Sequence, residues 1–463
     1  KNKNKLPFIV CNGDVVSKVD AESKLQKTTY KLVSDYIFEG FGVYYIKINA
    51  DYITLDGNNK TVTAKVPTVV YPGFIQNGQV NPSNLSISSV AHQGCTIKNL
   101  SVNLDEQMVG LEPSDSFISD GGGMVCQQGF GAGNTGAEIT IENCNYNGEL
   151  NKQGGGIIGR AANAGSSSAM IVTNCSCKIM QNRTRVSTGG IFGPYANAGS
   201  SGTIMVTNCF SDVPLGTTQG GIFGESANTL SSGNISITNC YSSGNIEGKG
   251  GGIFGAGANI DSSGTITVEN CYSTGYIGGT SAGGIFSRYA NARSSGTITV
   301  ENCYSIGAII AGISAGGIFG DGANIDSSGN ISITNCYSTG AISNSAAGGI
   351  FGESANKNSS GTITVTNCYS SGKISGGGSA GLGGGGIFGR NANKNSKDGS
   401  AITVTSCYSS GSISGYRTGG IFGDDANDNS SGTITVTNCY SSGAIYGSSA
   451  GGIFGIYANS GSS

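Results

Sequence analysis

The residues of this chain with chemistry to offer recur at steady intervals. Ten of the 14 cysteines, Cys144, Cys175, Cys209, Cys240, Cys271, Cys303, Cys336, Cys368, Cys407 and Cys439, follow one another at 31 to 34 residues, with one gap of 39. If they stack at the roughly 4.8 Å separation of neighbouring strands, their Cα atoms fall within disulfide range. An equally spaced ladder favours no particular pair, so buried free thiols are the simpler expectation; Cys175 and Cys177, two apart on one strand, are the local exception. Metal or redox spacings such as Cys-x-x-Cys are absent, and the compartment stays open. Directly after the cysteines stand Tyr241, Tyr272, Tyr304, Tyr337, Tyr369, Tyr408 and Tyr440, with Phe210 in the same slot. Such tyrosines, facing outward at one spacing, make an amphipathic strip suited to sugar rings or to another protein chain.

Acid/base chemistry has little material. The single histidine, His92, has no neighbouring ligand partner and reads as a polar turn residue. Glu225, Asp261, Asp321, Glu353, Asp424 and Asp425 fall in turns and change identity between repeats, as solvated turn residues do. They do not form the converging carboxylates that glycoside hydrolysis requires. Asp261, Asp326 and Asp428 lack the spacing of calcium-binding nonapeptides. No catalytic residue, cofactor or metal is therefore expected. Sequons at Asn59, Asn84, Asn99, Asn182, Asn234, Asn330, Asn358 and Asn429 permit glycosylation of a secreted chain.

The elements that position these residues follow from the repeat. Gly-Gly-Ile-Phe-Gly or a close variant starts at Gly155, Gly189, Gly220, Gly251, Gly283, Gly316, Gly348, Gly385, Gly419 and Gly451, after a degenerate copy at Gly122-Gly123-Met124-Val125-Cys126. Each full copy leads into Ala-Asn, a Ser/Gly-rich turn and an alternating segment such as Thr265-Ile266-Thr267-Val268-Glu269-Asn270-Cys271-Tyr272-Ser273. Alternating β-branched and polar residues specify strands, and no segment carries a helical apolar stripe. One repeat holds too few apolar residues to enclose a core and must stack on its copies. The expected fold is all-β: a right-handed parallel β-helix, or β-solenoid, with about three short strands per coil of about 32 residues. Ten such coils would span roughly 50 Å.

Within a coil, Ile and Val point inward, Asn makes a bend, Cys returns to the interior and Tyr points out. Asn tolerates the left-handed conformation and can bond to the Asn above and below. Two Asn columns result. One comprises Asn143, Asn174, Asn208, Asn239, Asn270, Asn302, Asn335, Asn367 and Asn438, interrupted by Ser406; the other is the Ala-Asn series from Asn163 to Asn459. Both are expected to be internal amide ladders. Adjacent Ile and Phe cannot both face inward on a regular strand, so one of them is expected inside the coil and the other under a loop or neighbouring chain.

Composition excludes several function classes. With 80 Gly, no Trp, 11% charged residues and a net charge of -3, the chain has no basic block for nucleic acid and none for anionic lipid. No run approaches the roughly 18 apolar residues of a membrane helix. Residues 1–120 carry 23 of the 53 charged side chains. They are expected to form a cap and first coils, as in Ile53–Val62 and Cys95–Val102, ahead of the repetitive residues 121–463. The chain starts at Lys1 without Met and stops at Ser463 within its pattern, so an open last coil is expected either to continue or to pair with another subunit. If it is a joint, deleting residues 420–463 should abolish assembly.

The Gly-Gly-Ile-Phe-Gly and Asn-Cys-Tyr-Ser-Thr-Gly phrases resemble GLUG-type repeats, over roughly residues 121–463, although the Ala-Asn-x-x-Ser-Ser-Gly linker makes each unit longer. The resemblance implies surface-exposed, adhesin-like proteins. The expected function is a rigid structural rod at the extracellular, cell or virion surface, assembling with itself into a fibre or filament. An adhesin or glycan-binding module using the Tyr strip is the alternative, and a polysaccharide lyase or hydrolase the third. The partners that follow are copies of the chain and surface glycans, without nucleic acid or membrane insertion.

Overall fold

The computed structural model of the chain describes residues 8–11, 28–39, 45–48, 50–65, 73–77, 91–104, 125–148, 150, 154–178, 189–214, 218–310, 313–343, 346–375 and 383–462. Outside them lie the first Gly-Gly-Met, the sequons at Asn84 and Asn182, much of the proposed cap, and part of the Gly-rich insertion after Lys373. The described residues contain no helix and wind into a right-handed parallel β-helix.

One coil serves for all. Thr265–Glu269 and Tyr272–Ser273 add to a 23-stranded parallel sheet, and Ile277–Gly278 adds to a separate 7-stranded one. Like pairs with like in the next coil: Ile266 with Ile298, Val268 with Val300, Tyr272 with Tyr304 and Ile277 with Ile309. The described strands of residues 1–120 pair the same way. Ile53–Lys65 lies between Thr28–Lys31 and Tyr36–Glu39 on one side and Thr96–Leu104 on the other, which in turn pairs with Ile139–Asn147.

Alternation fills the interior. Ile266, Val268, Cys271, Ser273 and Ile277 are at most 1% exposed, while Thr265, Thr267 and Tyr272 are half-buried. Reversal between the first two strands falls on Asn, at φ of 52–55° from Asn143 to Asn438. Ser406 takes the same place at 54°. Asn reaches this left-handed region more cheaply than most side chains because its short amide bonds locally.

The Gly-Gly-Ile-Phe segment departs from expectation. Ile253 and Phe254 are both fully buried in one continuous hydrophobic core, as are their counterparts through Ile421 and Phe422. Strand alternation does not apply, because only the first Gly and the Phe make ladder bridges, Gly251 with Gly283 and Phe254 with Phe286, and the chain bends between them. The second Gly permits the bend. A Cβ on Gly252 would collide with the Gly284 carbonyl and the Ser273 side chain. The phenylalanines form an internal stack from Phe192 to Phe454, with centroids 4.6–5.0 Å apart. That spacing is the strand separation itself.

Candidate functional site

The two Asn columns separate on burial. In the Ala-Asn column every described side chain from Asn163 to Asn427 donates from Nδ2 to Oδ1 of the Asn one coil later, at 2.7–3.0 Å. Most of these amides also bond the Gly carbonyl five residues on, as Asn228 does to Gly233 at 3.0 Å. The other column is solvent-exposed. Asn239 donates to Asn208, Asn335 to Asn302 and Asn367 to Asn335, at 3.1–3.4 Å, whereas Asn270 turns to Glu269. It stands at the surface rather than inside, because its residues occupy the outer side of the bend that Cys closes from within.

The cysteines Cys240, Cys271, Cys303, Cys336 and Cys368 are buried free thiols. Each backbone N–H donates to the Sγ of the next coil's cysteine at 3.3–3.4 Å. Burial pushes Cys126, Cys177 and Cys209 well above the usual thiol range, and Cys95 up to about 12. Such thiols stay protonated and unreactive at neutral pH. Cys177 pairs with Ser211 and so stands in the inward serine column rather than beside Cys175.

The tyrosine strip runs unbroken from Tyr241 to Tyr440, with centroids 4.8–5.2 Å apart and planes within 6°. Each interior ring is stacked on both faces. Ring edges and hydroxyls are what the strip presents sideways, and the half-burial of the rings follows from the stacking.

The acidic turn residues divide. Asp261 is exposed and held by Arg293 through two bonds of 2.8 Å. Asp424 and Asp425, expected in solvent, are buried. The turn folds them under Arg390, whose Nη2 lies 2.7 Å from Asp425 and whose Nε lies 3.4 Å from Asp424. Asp321 accepts from Ser281 at 3.4 Å, and Glu353 accepts from Ser314 and, at 2.9 Å, from Asn391. His92 is tied by its backbone to Asn77 and by Nδ1 to Asp51 at 3.2 Å, in a turn. No group of three His, Cys, Asp or Glu among the described residues is arranged to hold a metal ion.

A surface absent from the sequence expectations lies over the Ser-Ser-Gly turns. The first serine faces inward, and its hydroxyl donates to the serine carbonyl of the preceding coil, as from Ser262 to Ser231 at 2.6 Å and from Ser294 to Ser262 at 2.6 Å. Most coils have Gly next, where a Cβ on Gly264 would strike the Gly233 carbonyl, while Ser168 and Ser400 hold the same place in two coils. The second serine faces out, at Ser201, Ser232, Ser263, Ser295, Ser328 and Ser360, and these line a groove of about 620 Å³ along the rod. The triplet repeats visibly in the sequence; which serine faces out depends on the turn.

Fold and surfaces together define a parallel β-solenoid repeat protein whose side chains stack in columns. In comparisons with family models, with curated proteins and with solved structures, none of the three returned a match.

Proposed function

We propose that the chain is a rigid structural rod of an extracellular, cell or particle surface, which assembles with its own copies into a fibre or filament. The observation that carries this reading is register. From Met170 onward each first strand meets its counterpart one coil away, and the Phe and Tyr columns do so from Phe192 and Tyr241, so backbone bonding and side-chain stacking both run along the axis. A rod of this kind bends only by breaking many contacts at once. The GLUG-type resemblance of its phrases agrees with a surface role, and the reading assigns no catalysis. The tyrosine edges from Tyr241 to Tyr440 are the proposed lateral contact, since they combine apolar area with hydroxyls.

Electron microscopy of native material tests the proposal. Long fibres with a subunit repeat are expected, and their lateral association should weaken in a Tyr272→Ser, Tyr304→Ser, Tyr337→Ser variant. Isolated short rods at every concentration tried would overturn self-assembly. A second reading, binding of surface glycans, is favoured by the serine groove.

A further inference from the structure

We infer that the serine groove is a binding site for an extended, uncharged polysaccharide chain lying parallel to the rod axis. This deepens the glycan-binding reading, but it moves the site away from the tyrosines, whose faces are already covered by one another.

The groove's shape excludes compact ligands. Its lining runs from Thr135 through successive coils to Lys397, a length of several coils at roughly 4.8 Å each. Gly165 and Gly199 leave its floor open, since an added Cβ there would meet no atom within 4 Å. Beyond Ser360 the outward serine gives way to Lys397 within Ser396-Lys397-Asp398-Gly399, and there the groove ends.

The chemistry of the lining selects among polymers. The hydroxyls of Ser201, Ser232, Ser263, Ser295, Ser328 and Ser360 have no protein partner among the described residues and can both donate and accept. Asp261 and Arg293 neutralise each other in a bidentate pair at the lip, and the charge of Asp326, which accepts from Asn358 at 3.0 Å, is offset by that of Lys397 at the end of the lining. The lining therefore carries hydrogen-bonding groups and no net charge, which suits neutral hydroxyls better than phosphates or sulfates. Register decides the rest. A donor and acceptor repeating once per coil is matched by a polymer whose unit length is close to one coil, as in an extended β-linked hexose chain. A peptide strand, at about 3.3 Å per residue, comes into step only at every second coil and so leaves every other serine unmatched.

Isothermal titration of the full chain with cellohexaose, xylohexaose, mannohexaose and chitohexaose, each against its disaccharide, tests the inference. At least one hexaose should bind about tenfold or more tighter than its dimer, because each added sugar reaches another coil. Binding should be lost in a Ser232→Ala, Ser263→Ala, Ser295→Ala variant and in Ser263→Tyr, which fills the trough, and kept in the tyrosine variant above. The serine hydroxyls are exposed and unbonded, so both groove variants should melt with the parent; two dissimilar variants keep the result readable if one folds poorly. Absence of binding by every hexaose, equal affinity for hexaose and dimer, or binding that survives both groove changes would overturn the site. Any of these leaves the fibre reading untouched, since microscopy decides it separately.

Discussion

Serine occupies three columns in most coils, and the two inward ones have opposite energetics, since Ser262 and its counterparts donate to a carbonyl of the preceding coil. Ser242, Ser273, Ser305, Ser338, Ser370 and Ser409 face inward, are at most 1% exposed, and their hydroxyls find no partner. They press against the second Gly of the bent segment, with a Cβ on Gly284 falling within contact of Ser305. A buried hydroxyl without a partner costs about 1–3 kcal/mol, and its apolar replacement is often neutral or stabilising. Ser305→Ala should therefore leave the melting temperature unchanged or raise it, while Ser305→Val, lacking room against Gly284, should destabilise by about 1–3 kcal/mol. Thermal melts of the two variants check this, and a large loss in Ser305→Ala would reveal a hidden bond. Residue types made part of this legible. The bend at Asn270 was readable because few residues other than Asn accept a left-handed φ, and Ile266 and Val268 alternate with Thr. Ile253 and Phe254 were not, because two glycines before them release the chain from strand alternation and nothing in four residues announces a bend.

Among the elements, the turn after Gly-Gly-Ile-Phe-Gly gathers charge. Burial, then the neighbouring Glu353, pushes Asp321 from 3.8 up to about 7, and burial pushes Asp424 up to about 6. The charged form of Asp321 is disfavoured in the folded chain but not in the unfolded one. Below pH 3.8 both states are protonated and no penalty applies; the stability held there is lost as pH rises through about 7. Asp321→Asn should accordingly melt with the parent at pH 4 and above it at pH 8. A uniform offset at both pH values would place the effect in packing instead. Arg390 does the opposite service for Asp424 and Asp425; removing it would strand Asp424 and leave Asp425 to Lys394, a loss of about 3–5 kcal/mol by the general cost of breaking a buried pair. The sequence placed these carboxylates in turns correctly. Their burial was illegible because the cations that cover them, Arg390 and Lys394, belong to the preceding coil.

Across the whole molecule, stability is shared between neighbours, since each coil touches only the ones before and after it. Thr265 and Thr297 hold the same register position, and Gly264 and Gly296 precede them. Deleting residues 265–296 removes one full coil and joins equivalent points. The shortened chain should fold, with strand content and melting temperature near the parent's, whereas deleting residues 265–280 should abolish the cooperative transition. Circular dichroism with thermal melting distinguishes the outcomes, and equal tolerance of both deletions would contradict a stacked coil. The buried amides of the Ala-Asn column carry a further meaning, since every donor from Asn163 to Asn427 points toward the later coil and all the repeat strands run parallel. The rod is a directed object with no internal two-fold axis. Its two ends are therefore different surfaces: a head-to-tail joint repeats one heterologous contact and extends an open filament unless its rotation closes, whereas a joint between like ends makes a two-fold pair and stops there.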